Sequence, residues 1–212
     1  MINLYNYITE RIKSLSSDKK GIIVFDIDDT ILKVDSSTMS IYKKTSSGEI
    51  SLSTDEYAKD PDAGIVSKSH LFDFRDFNDP KKVYQSIIQG TPLIKNLRIM
   101  DAYINAGYEF CFLTARGCED VIKDALDSFL KTKTPDGVLK KLGKVFNKTL
   151  SHAINDKLMN YPGKTDSEKK ANVLINLCNE YDKVIFVDDD KKNVIAAKRL
   201  GLNNLTVIKA WK

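Results

Sequence analysis

The stretch IIVFDIDDTIL, residues 22–32, sets three aspartates at the end of a run that otherwise belongs in a protein interior. Ile22 to Phe25 are β-branched or aromatic and follow Gly21, the pattern of a short strand covered on both faces. Asp26, Asp28 and Asp29 then fall within four positions. Carboxylates that close repel one another, and a buried carboxylate without a partner is costly. A chain carrying this segment needs a fold in which an interior strand opens onto an edge where something cationic meets its acids. Alternation along an extended chain directs Asp26 and Asp28 to one side and Ile27 to the other. Hard oxygen ligands so arranged suit a divalent cation.

The pattern of apolar strand followed by polar residues recurs. YEFCFL leads into Thr114-Ala115-Arg116, and VIFV into Asp188-Asp189-Asp190. Between these runs lie segments with apolar residues at helical spacing: Leu93, Leu97, Met100, Ala102 and Ile104; Val121, Ile122, Ala125, Leu126, Phe129 and Leu130; Ala171, Leu174, Leu177, Cys178 and Tyr181. A further helix is expected near Lys81 to Gln89, another in NVIAAKRLG, closed by Gly201, and a fourth strand in LTVI. Short apolar strands separated by amphipathic helices predict an α/β fold, a parallel sheet flanked by helices. In such a sheet DIDDT, TAR and DDD share the carboxyl edge, where open α/β folds bind ligands. Asp188 or Asp189 would complete the cation's ligand set.

A chain of 212 residues that is 42% hydrophobic can bury a sizeable core. Residues 1–212 are expected to form a single domain, with residues 33–80 as an inserted flap after the first strand. Within that insertion, Ser46-Ser47-Gly48 separates two alternating segments as a hairpin turn does. The polar, lysine-rich passage from Lys131 to about Lys164 yields no assigned element.

In type and order, Asp26-Ile27-Asp28-Asp29-Thr30 after a strand, Thr114 after FCFL, a lysine opening the next helix, and VIFVDDD resemble the four motifs of the haloacid dehalogenase (HAD) superfamily of phosphohydrolases. The resemblance covers most of the chain outside residues 33–80 and 131–163. It implies a Rossmann-like HAD core and Mg²⁺-dependent hydrolysis of a phosphomonoester through an aspartyl-phosphate. By that resemblance Asp26 is the nucleophile, and Asp28 protonates the leaving oxygen and later activates water. Thr114 would hydrogen-bond a phosphoryl oxygen, and Thr30 and Arg116 would lie on the substrate side, with pairing to a surface acid an equal alternative for Arg116. Asp26, Asp28, Asp188 and Asp189 would surround the metal, with Asp189 as the direct ligand of the acidic pair and Asn193 supporting it. The lysine that offsets transition-state charge is assigned to Lys170, four residues before Leu174, with Lys164 and Lys169 as alternatives. Asp190 reads better as the cap of the following helix.

The remaining composition narrows the function classes. A net charge of +4 with 29% charged residues does not by itself imply a nucleic-acid partner. Lys131, Lys133, Lys140, Lys141, Lys144 and Lys148, opposed only by Asp136, form either a solvated face or a polyanion track. Cys111, Cys118 and Cys178 are odd in number and lack CxxC spacing, as expected of reduced packing cysteines in a cytoplasmic protein. MINLYNYITERIKSL has no basic start followed by a long apolar run, and no stretch approaches roughly 20 apolar residues, so no membrane partner is expected. His70 and His152 lack partners at ligand spacing. The expected substrate is a phosphorylated small molecule or a nucleic-acid end, because a small flap leaves the site open. The competing class is a non-catalytic binding or structural protein retaining the fold, against which stand the intact acids at positions 26, 28 and 189.

Overall fold

The computed structural model describes residues 20–35, 37–134 and 150–211. The N-terminal segment and Asp136, Lys140, Lys141, Lys144 and Lys148 lie outside the described residues. In chain order the elements are β1 (Gly21–Phe25), β2 (Leu32–Lys33), β3 (Ile41–Thr45), β4 (Gly48–Leu52), α1 (Thr54–Lys59), β5 (Phe72–Asp73), α2 (Pro80–Gln89), β6 (Thr91–Pro92) and α3 (Ile94–Asn105). They continue with β7 (Glu109–Thr114), α4 (Glu119–Lys133), β8 (Leu150–Ala153), α5 (Asp166–Glu180), β9 (Lys183–Asp188), α6 (Lys191–Arg199) and β10 (Leu205–Lys209).

Five strands form one parallel sheet in the order β10-β9-β1-β7-β8, with helices covering it, which is a Rossmann-like α/β core. β1 is central and buried throughout. Its alternation divides the interior: Ile23 and Phe25 pack with Phe110, Phe112, Ile122 and Leu126 on one face. Ile22 and Val24 pack with Cys111, Leu113, Leu174 and Leu177 on the other. Each such side chain contributes about 1.5–3 kcal/mol on burial. A strand covered on both faces has no solvent side on which to place a polar residue, so its first carboxylate appears only where β1 ends. Gly21 admits the Tyr108 ring, whose nearest carbon would lie 2.5 Å from an added Cβ.

Sequence periodicity anticipates four of these strands; β8 is a correction. Its four residues, Leu-Ser-His-Ala, are too short and mixed to stand out, and it takes its place at the sheet edge by pairing with β7 from Cys111↔Leu150 to Thr114↔Ala153.

Between β2 and β6, which pair antiparallel through Leu32↔Pro92, the chain builds a three-stranded antiparallel sheet, β4-β3-β5. The expected hairpin is present, with Ser46 and Ser47 as its two-residue loop and Gly48, at φ 130°, opening β4. Asp79 caps α2 ahead of Pro80, and Thr165 and Glu168 form a capping box on α5. No helix among the described residues is long and apolar enough to cross a membrane.

Candidate active site

The ends of β1, β7 and β9 converge at the carboxyl edge of the sheet. After β1 the chain wraps on Ile27, whose carbonyl accepts from the amides of Thr30, Ile31 and Leu32. Asp29 takes a left-handed conformation at φ 54° within this turn. The turn holds Asp26 and Asp28 beside a cleft of about 690 Å³, which Lys170, Asp189, Asp190 and Asn193 also line.

Lys170 enters from the first turns of α5. Its Nζ lies 2.7 Å from Asp26 Oδ1 and 2.8 Å from Asp188 Oδ2, and its side chain is almost wholly buried. Burial alone would push its ammonium pKa down, but Asp188 and Asp26 outweigh that and hold it above its ordinary value. Burial raises the Asp26 carboxyl well above the usual carboxylate range; Lys170 pulls it down, while Asp188 and Asp28 push it up. One ammonium therefore does not compensate Asp26 for its burial and its acidic neighbours. Asp26, Asp188 and Asp189 each offer a carboxylate oxygen, all within 4.8 Å of one another, a group that can hold a metal ion.

The acidic pair divides its duties. Asp188 has no exposure, and it accepts from Lys170, from Asn193 Nδ2 at 3.0 and 3.2 Å, and from the Asp190 amide at 2.8 Å. Asp189 lines the cleft, and its amide donates to Thr30 Oγ1 at 3.1 Å. Asp190 caps α6 through the Lys192 amide, as its position in the sequence implies. Of the alternative lysines, Lys169 reaches Asn155 Oδ1 at 2.7 Å, and Lys164 is joined to Glu168 through its backbone.

Four residues sit differently from their expected places. Arg116 has no exposure and does not line the cleft. Its Nε and Nη2 grip both oxygens of Asp28 at 2.9 and 2.5 Å, and its Nη1 donates to Ser86 Oγ at 2.6 Å and the Val83 carbonyl at 3.2 Å. Asp28 thus turns its carboxylate to Arg116 and stands outside the Asp26, Asp188 and Asp189 group. Thr30 is buried beneath the site, tying the β1 turn to Asp189 instead of lining the cleft. Thr114 is also buried, its Oγ1 accepting from the Arg116 amide at 3.3 Å, and its neighbour Ala115 is the residue that reaches the cleft.

The expected insertion also lines the cleft, through residues the sequence reading did not single out. Val34, Ile41, Tyr57, Phe74 and Phe77 line it. The only sequence signal was the aromatic spacing in DFRDFNDP.

The sequence matches no protein-family model and no curated protein. Among solved structures, a chain of the Pnkp1/Rnl/Hen1 complex aligns at 12% identity with a TM-score of 0.48, over 93% of this chain and 48% of that one. This protein thus spans about half the length of that chain, and a likeness of that size does not bear on function.

Proposed function

We propose that the protein is a Mg²⁺-dependent phosphatase of the HAD type, acting on a phosphomonoester of a nucleotide or nucleic-acid end. The observation that carries this reading is the placement of Lys170 across Asp26 and Asp188 beside a cleft that Asp189 also lines. It joins a candidate nucleophile, a fixed cation and a carboxylate ligand set at one sheet edge. All-carboxylate donors fit a hard divalent ion, with Asp26 and Asp189 facing the cleft to hold it. When bound, Mg²⁺ neutralises part of the phosphate charge that would repel Asp26.

An oxygen of Asp26 attacks phosphorus, and the bond to the leaving oxygen breaks as that oxygen takes a proton from Asp28. Water then attacks the aspartyl-phosphate, Asp28 accepts its proton, and Asp26 is released. Lys170 stabilises the negative charge gathered at the transition state. For Asp28 to carry a proton, its two-bond pair with Arg116 must loosen to one bond. Ser86 and the Val83 carbonyl keep the guanidinium in place while it does so. Arg116 is therefore proposed as the group that orients Asp28, not as a substrate contact. Residues 33–80 are read as a small flap over the site.

Hydrolysis of a generic aryl phosphate tests the reading: turnover is expected with Mg²⁺ and is lost with a chelator. Asp26→Asn, which nearly preserves size but removes the nucleophile, should abolish it while leaving the melting temperature close to that of the parent. Substantial activity in that variant would sink the covalent mechanism.

A further inference from the structure

The cleft is larger and more apolar than a phosphate needs. Its lining joins Asp26, Lys170 and Asp189 of the sheet edge with Tyr57, Phe74 and Phe77 of the insertion. At about 690 Å³ it falls within the range of sites that enclose a whole small molecule. The three rings form an edge-to-face chain, with centroids 5.4 Å apart for Tyr57 and Phe74 and 5.8 Å apart for Phe74 and Phe77. Tyr57 is held in place by the Gly64 amide at its hydroxyl and by Phe72 at 5.0 Å. Phe72 is buried as the insertion's own packing residue, whereas Phe74 keeps 37% of its surface exposed although it borders the cleft. An aromatic face left open within a substrate-sized cleft calls for a flat apolar group to cover it.

Two further observations decide how large the substrate is. The insertion touches the core on either side of β1. Gly64 abuts Lys192 of α6 so closely that an added Cβ would collide with its Nζ, and the Gly117 amide after β7 donates to the Phe77 carbonyl at 2.9 Å. The cleft is thus bounded at both flanks. Its lining is also predominantly acidic, with Asp55, Asp166 and Asp190 joining the carboxylates at the sheet edge against Lys170 and Lys192. Backbone phosphates of a polymer entering there would meet carboxylates where polynucleotide sites present lysine and arginine.

We infer that Tyr57, Phe74 and Phe77 form a base-stacking subsite and that the substrate is a free nucleoside monophosphate, not a polynucleotide end. The inference rests on the phosphatase reading for the fate of the phosphate, but not for the binding of the base. Stacking of one base on an aromatic side chain corresponds to about a 5- to 150-fold effect. The nucleobase adds this to binding, and a sugar phosphate lacks it.

The test compares adenosine 5′- and 3′-monophosphates, ribose 5-phosphate and phosphate-ended oligonucleotides on the full chain with Mg²⁺. The better nucleoside monophosphate should exceed ribose 5-phosphate at least about 5-fold in kcat/KM and should also exceed the oligonucleotides. Phe74→Ala should raise KM for the nucleotide by a similar factor and leave ribose 5-phosphate within about 2-fold, through loss of one stacking face. Phe74→Leu, which keeps apolar volume but has no ring, should reproduce the effect with an unchanged melting temperature. Equal handling of nucleotide and ribose 5-phosphate would reduce the wall to the insertion's own packing, and preference for the oligonucleotide would overturn the size assignment. If no phosphate ester turns over, the phosphatase reading fails separately. Calorimetric titration of the two adenosine monophosphates then decides the subsite: binding weakened by Phe74→Leu supports it, and no binding to the parent chain refutes it.

Discussion

At the scale of single residues, the acids raised by the DIDDT stretch meet two cations of the protein's own. Lys170 serves Asp26 and Asp188, and Arg116 serves Asp28. Asp26, Asp28 and Lys170 were legible because each follows or precedes an apolar run of known period, which fixes its position relative to the sheet edge. Arg116 pairs with an acid, as one of its two readings had it, but buried and not at the surface: TAR follows a strand like a surface loop, and no local pattern reveals that its guanidinium reaches back to α2. Removing one partner of a buried, hydrogen-bonded ion pair costs about 3–5 kcal/mol, and the lower end applies here because the Asp28 side chain is 24% exposed. Arg116→Ala should therefore melt at clearly lower temperature, read by circular dichroism. Arg116→Lys keeps the charge but not the two-pronged grip. It should retain more of the stability while losing at least about 10-fold in kcat at nearly unchanged KM, as expected when only a positioning contact is removed. Loss in KM alone would return Arg116 to the substrate side.

At the scale of elements, β1, β7 and β9 could be read because burial on both faces leaves continuous apolar runs, β10 from the apolar bias of LTVI although it is only half-buried, and the helices from their own period. β8 could not, and it brings His152 against Tyr161 and within electrostatic reach of Glu119 and Glu180. His152 Nδ1 lies 3.0 Å from the Tyr161 hydroxyl, which in turn donates to Glu119 at the start of α4, while Glu180 of α5 also acts on the ring. Burial lowers the His152 pKa below its ordinary 6.5, and the Glu119 and Glu180 carboxylates only partly oppose it. The folded protein then binds fewer protons than the unfolded chain once the pH falls below about 6.5, so this group removes stability as the medium is acidified and stops doing so below its folded pKa. Melting temperatures at pH 7.5 and 5.5 check the sign. The parent protein should lose more on acidification than His152→Gln, which keeps hydrogen-bonding capacity but does not titrate. An identical loss in both would show that β8 is insensitive to His152 charge.

At the scale of the whole molecule, the proposed site is assembled from segments far apart in the chain: the turn after β1, the start of α5, and the end of β9 leading into α6. None of these is a site alone. Asp26 and Asp189 are brought together only when β1 and β9 pair in register, from Gly21↔Lys183 to Phe25↔Val187. A ligand that binds both carboxylates therefore binds the folded chain and not the unfolded one, and it must stabilise the fold by mass action. At a Mg²⁺ concentration ten times its dissociation constant the gain is about 1.4 kcal/mol. For a chain of this length that corresponds to a rise in melting temperature of about 3–6 °C. The rise needs no substrate and no turnover, so it tests the metal site apart from the chemistry. Asp189→Ala should abolish most of it, because Asp189 both lines the cleft and belongs to the group within 4.8 Å. Asp190→Ala should keep it, although removing the α6 cap lowers the starting stability by about 1 kcal/mol. If Mg²⁺ leaves the melting temperature of the parent unchanged at millimolar concentration, the carboxylate group does not hold this metal. If both variants lose the rise equally, the acidic pair after β9 has been divided wrongly between metal and cap.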